Sequence, residues 1–394
     1  MEEWKECTLS DLGTIVGGAT PSTKDSSNYE NGSIAWITPK DLSTHTERFI
    51  SHGERNITEK GLKSCSAQLM PPNSILFTSR APIGYIAIAK NEVCTNQGFK
   101  SIVPNKDTDF MFLYYLLRYN KDNIENLGSG TTFKEVSGST MRNVPVKVPP
   151  LPPQQKIAAI LSSLDDRIEL NNKINTNLEQ QIEAFLLNYL SKRETTYVKL
   201  GDYLYIKGRI GWKGLKKNEY LSESNYRIIN GETLTKSGID WNKAGYISEE
   251  RYTESPEIML QIGDILLSKD GTIGKIGYVD ELELPTSVAS GIFVIRNNQP
   301  DVISTTFIYY LLKSKIFDSF IIARTEGSVI PHLYQKDFMD FEFPLPSPEL
   351  MNEFEKTTSS MFNQIINNLK ENKKLNSLRD SLLPKLMNGE ININ

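Results

Sequence analysis

The sequence predicts an α+β protein in which two similar mixed α/β domains are separated by two long antiparallel helices that form a coiled coil. Three observations lead to this prediction. The second half of the 394-residue chain repeats motifs of the first half in the same order. Each copy runs into a proline cluster, and a long stretch with helical spacing follows each cluster. A duplication of this kind usually builds related domains about an approximate twofold axis, so we expect a pseudo-twofold arrangement.

Two apolar motifs carry the repeat. Residues 75–84 (ILFTSRAPIG) are echoed by residues 265–274 (ILLSKDGTIG). Residues 112–117 (FLYYLL) are echoed by residues 307–312 (FIYYLL). A protein with internal twofold symmetry is suited to an object with a twofold repeat of its own, and duplex DNA is the leading candidate.

The surrounding sequence alternates short apolar runs with turn residues, which is typical of strands in a mixed domain. The best helix candidates are residues 109–118 and, in the second copy, residues 305–312, because both hold an aromatic and leucine cluster. The predicted organisation is a first domain, a first long helix, a second domain and a second long helix. Their predicted ranges are 1–150, 151–195, 196–344 and 345–394.

The first long helix is predicted from residues 154–192, which contain neither glycine nor proline and follow Pro152 and Pro153, a good helix start. Apolar residues recur there at alternating spacings of four and three, as in a coiled-coil seam. The seam positions are Ile157, Leu161, Leu164, Ile168, Asn171, Asn175, Leu178, Ile182, Phe185 and Tyr189. The second copy repeats them as Phe354, Thr358, Met361, Ile365, Asn368, Asn372, Leu375, Arg379, Leu382 and Leu386.

Asparagine occupies the same two seam positions in both copies, as Asn171 and Asn175 and as Asn368 and Asn372. A buried asparagine in such a seam costs stability but fixes register and orientation. We therefore predict that these four residues set the register of the helix pair. The alternative is that they are exposed residues of an asparagine-rich chain.

Composition and motif searches limit the possible functions. A hydrophobic content of 39% and a charged content of 23% are typical of a soluble folded protein. No apolar run reaches the length of a membrane span, and the acidic N-terminus does not resemble a secretory signal. Three widely spaced cysteines indicate reduced thiols in a cytoplasmic protein. No phosphate loop, dinucleotide turn, methyltransferase loop or metal-ligand spacing occurs, so we expect no catalytic residues, no metal and no cofactor.

The densest basic stretch, residues 207–217, is the first candidate for DNA contact. Its cations alternate with glycines, which allow the backbone to approach a phosphate closely. The alternative is a solvated loop. A net charge of −4 is unusual for a protein that binds DNA alone, so a partner is expected to share the phosphate contacts. The candidate cations are Lys207, Arg209, Lys213, Lys216 and Lys217.

Two further sets of residues are weaker candidates for DNA contact. Ser79, Arg80 and Lys269 end apolar strands before a turn, where they would serve as a phosphate clamp or only mark the turn. Thr131, Thr132 and Lys134 belong to a glycine-rich loop that would contact DNA or only cap the domain.

Several motifs resemble the specificity (S) subunits of type I restriction–modification enzymes. Residues 146–161 (VKVPPLPPQQKIAAIL) and 164–168 (LDDRI) are similar to a conserved region of that family, as are residues 95–100 (TNQGFK) and 79–84 (SRAPIG). The resemblance covers essentially the whole chain. The second copy departs from it at Pro346–Glu349, and its echo of Asn96–Gly98 is only Ala289–Gly291.

The resemblance implies a non-catalytic subunit whose two target recognition domains each bind one half of a split sequence in double-stranded DNA. It implies that the helix pair sets the gap between the halves and docks two modification (M) subunits, and that two restriction (R) subunits join them. S-adenosylmethionine, ATP and Mg²⁺ would belong to those partners. Two alternatives remain: an adaptor that binds only proteins, and the specificity part of another restriction–methylation assembly.

Overall fold

The computed structural model describes residues 4–130, 134–191, 195–210, 214–235, 238–325 and 332–391. The chain divides into two compact units. Unit 1 comprises Met1–Asn171 and Lys370–Asn394, and unit 2 comprises Asn172–Leu369. Each unit therefore combines one mixed domain with part of each long helix.

Unit 1 begins with short strands and helices that alternate along the chain. The strands are β1 (Lys5–Thr8), β2 (Gly13–Gly17), β3 (Ile34–Ile37), β4 (Phe49–Ile50), β5 (Arg55–Ile57), β6 (Ile75–Ser79), β7 (Ile83–Ala89), β8 (Val93–Thr95), β9 (Lys100–Pro104) and β10 (Pro145–Val148). The helices of this domain are α1 (Leu9–Leu12), α2 (Pro39–Ser43), α3 (Glu59–Lys63), α4 (Phe110–Tyr119), α5 (Lys121–Asn126) and α6 (Gly138–Arg142).

The unit 1 strands form a five-stranded sheet in the order β2-β9-β6-β7-β4, a three-stranded sheet β5-β3-β8 and the pair β1-β10. Helix α4 covers the core with six consecutive buried residues from Phe112 to Leu117. The Asp109 side chain accepts the Phe112 N–H and so caps this helix. The helix predicted over residues 109–118 is confirmed.

The first long helix, α7, runs from Leu151 to Leu190. Unit 2 continues with strands β11 (Thr195–Lys199), β12 (Leu204–Gly208), β13 (Arg227–Ile229), β14 (Leu234–Thr235), β15 (Gly238–Ile239), β16 (Gly245–Tyr246), β17 (Ile265–Ser268), β18 (Ile276–Tyr278), β19 (Thr286–Val288), β20 (Ile292–Asn297) and β21 (Glu342–Pro346). Its helices are α8 (Glu249–Thr253), α9 (Thr305–Leu312), α10 (Lys315–Thr325) and α11 (Gln335–Met339), and the second long helix, α12, spans Pro348–Met387.

The unit 2 sheets repeat the unit 1 plan. The order β12-β20-β17-β18 corresponds to β2-β9-β6-β7, the sheet β16-β13-β19 corresponds to β5-β3-β8, and β11-β21 corresponds to β1-β10. The predicted helix over residues 305–312 is observed with the same bounds. The prediction of an α+β protein with two similar mixed domains is confirmed.

The long helices pack against each other in both units, and they run antiparallel. In unit 1, Asn171 of α7 contacts Asn372 of α12, while the earlier Asp165 contacts the later Arg379. In unit 2, Asn175 contacts Asn368, and the ring of Tyr189 lies 5.7 Å from that of Phe354. None of the helices in the part of the chain that the structure describes is both long and apolar enough to cross a membrane.

Candidate nucleic-acid interface

In unit 1, several loops that the sequence singled out meet at one edge of the domain. Strands β3 and β8 are parallel, so their carboxyl ends lie at the same edge. There the Asn96 N–H donates to the Ile37 carbonyl (3.0 Å) and the Ala19 N–H to the Thr95 carbonyl (3.0 Å). We call this region, residues 17–20, 79–80, 96–98 and 134–136, loop edge 1.

Strand β6 and the residues before α6 complete loop edge 1. The Ser79 N–H donates to the Gly98 carbonyl (2.7 Å), and the Val136 N–H donates to the Ser79 carbonyl (2.9 Å). A side chain at Gly18 would overlap the Asn96 carbonyl, so only glycine allows the first loop this close. Backbone hydrogen bonds thus join four segments that are far apart in sequence.

Unit 2 builds its counterpart, loop edge 2, on the same backbone plan. The Ala289 N–H donates to the Ile229 carbonyl (2.8 Å), the Lys269 N–H to the Gly291 carbonyl (2.9 Å) and the Leu333 N–H to the Lys269 carbonyl (2.9 Å). The departure of Ala289–Gly291 from Asn96–Gly98 therefore preserves the backbone role and changes only the side chains. Loop edge 2 comprises residues 208–210, 214–217, 230–232, 269–270, 289–291 and 332–333.

The hydroxyls at the ends of β6 and β17 stabilise hairpin turns. Thr78 Oγ1 donates to the Pro82 carbonyl and accepts the Tyr85 N–H, both at 2.8 Å. Ser268 Oγ donates to the Thr272 carbonyl (2.7 Å) and accepts the Lys275 N–H (2.9 Å). The hydroxyl that both copies place at the end of this strand therefore serves the turn.

The structure argues against the predicted contact of Ser79 with DNA. Its side chain is fully buried, and its hydroxyl donates to the Gly98 carbonyl at 3.2 Å. A buried and satisfied hydroxyl does not reach a ligand at the surface. The neighbouring Arg80 is different, since its side chain is 36% exposed at loop edge 1. In unit 2, Lys269 contacts Asp270 (3.2 Å) and lies over the Phe293 ring.

The basic stretch of unit 2 divides into buried and exposed cations. Arg209 is only 3% exposed, and its guanidinium donates to the Val288 carbonyl (3.1 Å) and to Ser287 Oγ (3.3 Å). Burial lowers the pKa of Arg209, and nearby Arg251 lowers it further. These contacts hold β19 in place, which argues against a phosphate contact by Arg209. Lys207 is half-buried on β12.

Lys216 and Lys217 are exposed on a loop that its own contacts hold in place. The Lys216 N–H donates to the Glu219 carboxylate (2.7 Å), which also pairs with Arg251 (3.0 Å). Lys217 borders an open depression lined by Tyr220, Asn230, Gly231 and Glu232. Lys134 is exposed at loop edge 1. Lys213, Thr131 and Thr132 lie outside the described residues.

The asparagines of the helix seam form buried pairs. Asn171 Nδ2 donates to Asn372 Oδ1 (2.9 Å) in unit 1, and Asn368 Nδ2 donates to Asn175 Oδ1 (2.7 Å) in unit 2. None of the four is more than 7% exposed. The geometry fits the predicted role, and control of the register by these pairs stays a prediction.

We expect replacement of all four asparagines by leucine to raise the melting temperature by roughly 2–4 °C, the equivalent of about 1 kcal/mol. Two buried amide pairs would be exchanged for apolar packing. The other side-chain partners that lose a hydrogen bond, Glu371 and Gln364, are half-buried and exposed, so water can replace it. Without the paired amides, alternative registers should appear as additional species in size-exclusion chromatography. Exposed Asn177→Leu is the matched control. A single species with unchanged melting would contradict the register role.

A buried polar network, which the sequence did not reveal, joins α4 to both long helices in unit 1. Asp165 of α7 is 4% exposed and accepts hydrogen bonds from Tyr115 Oη (2.6 Å) and Arg379 Nη1 (2.6 Å). Burial raises the pKa of Tyr115, and the Asp165 carboxylate raises it further. The following residue, Asp166, contacts Arg48. The LDDRI motif therefore attaches the domain to the helix pair.

Arg48 is the second attachment point in unit 1. Its backbone N–H and its Nε both donate to Glu169 Oε1, at 3.0 and 2.8 Å. Burial alone would lower the pKa of Arg48, but the hydrogen bonds that it donates to Glu169 and Asp166 outweigh burial and raise the pKa. The Arg48 side chain is 6% exposed and pairs with two carboxylates. It therefore fixes the start of β4 against α7.

Unit 2 has an apolar cluster at the equivalent place. Phe362 occupies the position on α12 that corresponds to Asp165 on α7, and its ring lies 5.4 Å from that of Tyr309 and 6.1 Å from that of Tyr310. Tyr310, the counterpart of Tyr115, has a buried hydroxyl without a hydrogen-bond partner among the described residues. The repeated FLYYLL and FIYYLL motifs therefore support different cores.

Comparison with known proteins places the chain in a family. The family model for the type I restriction modification DNA specificity domain matches residues 1–180 and 192–379. The chain is 32% identical over 414 residues to the MjaIX specificity subunit of Methanocaldococcus jannaschii, which covers 100% of this chain and 94% of the relative. It is 22% identical to the HindI specificity subunit of Haemophilus influenzae, covering 99% of this chain and 100% of the relative.

Among solved structures, the type I restriction–modification S subunit from M. genitalium superposes with a TM-score of 0.60 at 21% identity. The match covers 98% of this chain and 96% of that chain, and it shows a shared fold. Within the described ranges, no three His, Cys, Asp or Glu side chains form a group that could hold a metal ion. On the evidence of the two matched domains and the full-length relative, this chain belongs to the specificity subunits of type I restriction–modification enzymes.

Proposed function

We propose that this subunit selects a bipartite DNA sequence and itself carries no catalytic site. Residues 1–150 and 196–344 would be the two target recognition domains. The observation that carries the proposal is that loop edges 1 and 2 share a backbone plan but present different side chains. A common scaffold with diverged loops is what two readers of different sequences require.

The helix pair would set the gap between the two half-sequences. Both helices are 40 residues long, and each pairs with the other within unit 1 and within unit 2. A continuous helix keeps a fixed rise per residue, so its length is a defined spacer. In this proposal the asparagine pairs keep the spacer in one register.

The same helices would dock partners. Large apolar side chains remain exposed on them, between 36% and 48% each, although the seam positions are buried or half-buried. Exposed apolar residues beside a packed seam suit protein docking. They are Ile160, Leu170 and Leu378 in unit 1 and Ile174, Leu187 and Leu369 in unit 2.

We propose two modification subunits as these partners, with two restriction subunits joining the assembly, in the cytoplasm. S-adenosylmethionine, ATP and Mg²⁺ would bind to those subunits. The partners would also share the phosphate contacts, which accounts for the net charge of −4 on a DNA-binding subunit.

Mapping methylated adenines in host DNA with and without this gene tests the proposal. We expect a two-part methylated sequence with a fixed gap that disappears with the gene. Methylation that is independent of the gene would contradict it. Binding of the assembled complex to DNA should be sequence-selective and steeply dependent on salt, whereas an adaptor that binds only proteins would show neither property.

We expect replacement of Lys216 and Lys217 by alanine, together with Lys213, to weaken DNA binding by the assembled methyltransferase. Removal of three phosphate contacts would cost roughly tenfold or more in affinity at moderate salt. Titration of labelled target DNA measures the loss. The matched control is Lys243→Ala, which removes a cation paired with Asp240 in the same unit. Equal affinity of the triple variant and the parent would refute the loop assignment.

A further inference from the structure

Two cations lie beside one carboxylate at loop edge 1, and a third cation lies near one of them. Arg80 Nη1 lies 3.6 Å from Glu135 Oε2, and Lys100 Nζ lies 3.6 Å from Glu135 Oε1. Arg142 is beside them: a Cβ placed on Gly138 would be 3.6 Å from Arg142 Nη1 and 3.8 Å from Lys100 Cε. We call Arg80, Lys100 and Arg142 the cation cluster.

Glu135 does not balance the cation cluster, because its single negative charge lies beside Arg80 and Lys100 while Arg142 adds a third positive charge near Lys100. Both ion pairs are longer than a hydrogen bond, so the N–H groups of Arg80 and Lys100 remain available as donors. In the ranges that the structure describes, no other carboxylate forms an ion pair with these cations. Cations held together in excess repel one another unless an anion joins them.

The cluster is accessible from the surface. The side chains of Arg80 and Glu135 are 36% and 42% exposed, and Arg142 is exposed on α6. Lys100 is 17% exposed, so its ammonium group lies close to the domain and is held in place more firmly than a free surface lysine. Lys134 precedes Glu135 in the chain and is exposed as well.

Unit 2 keeps the scaffold of this cluster but not its charge. The bridge between Arg80 and Glu135 is repeated by a bridge between Asp270 and His332. Lys100 on β9 pairs with Gly17 on β2. In unit 2 the corresponding pair is Phe293 on β20 and Gly208 on β12, so phenylalanine stands at the position of Lys100. Arg142 ends α6, whereas Met339 ends α11. The same arrangement of strands and helix therefore forms in unit 2 with Asp, Phe and Met at the positions of the three cations.

We propose that Arg80, Lys100 and Arg142 form a binding site for DNA backbone phosphate on unit 1, with no equivalent on unit 2. The site rests on the proposed function, since it assigns a DNA contact to loop edge 1. Arginine offers a planar fork to phosphate oxygens and lysine adds a point charge. Glu135 acts as a positioning residue that holds Arg80 and Lys100 toward each other.

The test measures DNA binding by the complex of this subunit with its modification subunits over a series of salt concentrations. The variants are Arg142→Gln alone and Arg80→Gln with Lys100→Gln and Arg142→Gln. Each lost phosphate contact is expected to reduce the slope of log K against log salt by roughly 0.9, so the triple variant should lose up to roughly 2.7. The ratio of affinities for target and non-target DNA should stay unchanged, since phosphate contacts carry no sequence information.

Two controls make the result specific. Arg142→Lys retains the charge and should retain the slope, and Lys63→Gln removes an exposed lysine that pairs with Glu59 on α3 and should not change it. An unchanged slope in Arg142→Gln and in the triple variant overturns the phosphate site. If the triple variant fails to assemble, the salt dependence of DNA binding by Arg142→Gln tests the phosphate site. A parent complex without preference for its target would instead overturn the proposed function.

Discussion

Replacement of Asp165 by asparagine is expected to lower the free energy of unfolding by about 3 kcal/mol. The asparagine has nearly the same shape but no charge, so Arg379 would keep its buried position without its main counter-ion. Arg379 is 9% exposed, and its remaining partner, Asp380, is 60% exposed. Urea-induced unfolding measures the change, and hydrogen exchange of the α4 amides locates it in unit 1.

The two copies supply a matched pair of controls for this network. Tyr115→Phe removes a hydrogen bond to a buried carboxylate and should cost about 2 kcal/mol. Tyr310→Phe removes a buried hydroxyl that has no partner among the described residues, so it should be neutral or slightly stabilising. Equal losses in the two variants would show that the Asp165 network does not contribute as the geometry indicates.

Insertion of one heptad into both long helices is expected to lengthen the gap in the methylated sequence by about three base pairs. Seven residues add about 10 Å of helix, and a base pair occupies about 3.4 Å. The insertions belong after Lys173 and after Lys370, between the layers of Asn171 with Asn372 and of Asn175 with Asn368. The seam then continues without a break, since seven residues preserve its period. Sequencing of methylated sites measures the gap.

Insertion into α7 alone is the control for the double insertion. Only one of the two asparagine pairs can then stay aligned, and the helices are out of register beyond the insertion, so we expect loss of methylation rather than a longer gap. The two half-sequences should be the same for the parent and the double insertion. A changed half-sequence, or an unchanged gap in an active double insertion, would contradict the spacer role.

The sequence was sufficient for the elements whose periodicity is local. The seam of α7 and α12, the helices α4 and α9 and the repeated strands before the hairpin turns all follow from spacings within a few residues. The asparagine positions could be identified because both copies place them in the same heptad layers. A repeat inside one chain gave two independent instances of each local pattern.

The functional assignment of single residues depended on contacts between distant segments. Ser79 and Arg209 carry suitable chemistry, but the structure buries both, and each donates to a backbone carbonyl inside its domain. Lys100 and Arg142 were not among the predicted contacts, because neither lies in a basic run. The only sequence signal was that the second copy has Phe293 and Met339 at these positions. No local pattern indicates that the positive charge in the first copy is functional.

By itself, the sequence determined the duplicated architecture, the helix pair and the family, because heptad spacing, strand alternation and extended motifs are properties of neighbouring residues. Only the tertiary structure decided which side chains are available at each loop edge. It also decided that α7 attaches the first domain through Asp165 and Arg48, whereas α12 contacts α9 through an apolar cluster in unit 2. The physical reason is that burial and charge balance depend on which strands and helices meet. The approach of Lys100 on β9 to Glu135, for instance, depends on the backbone hydrogen bonds that Ser79 makes with Gly98 and Val136, which lie far from it in the chain.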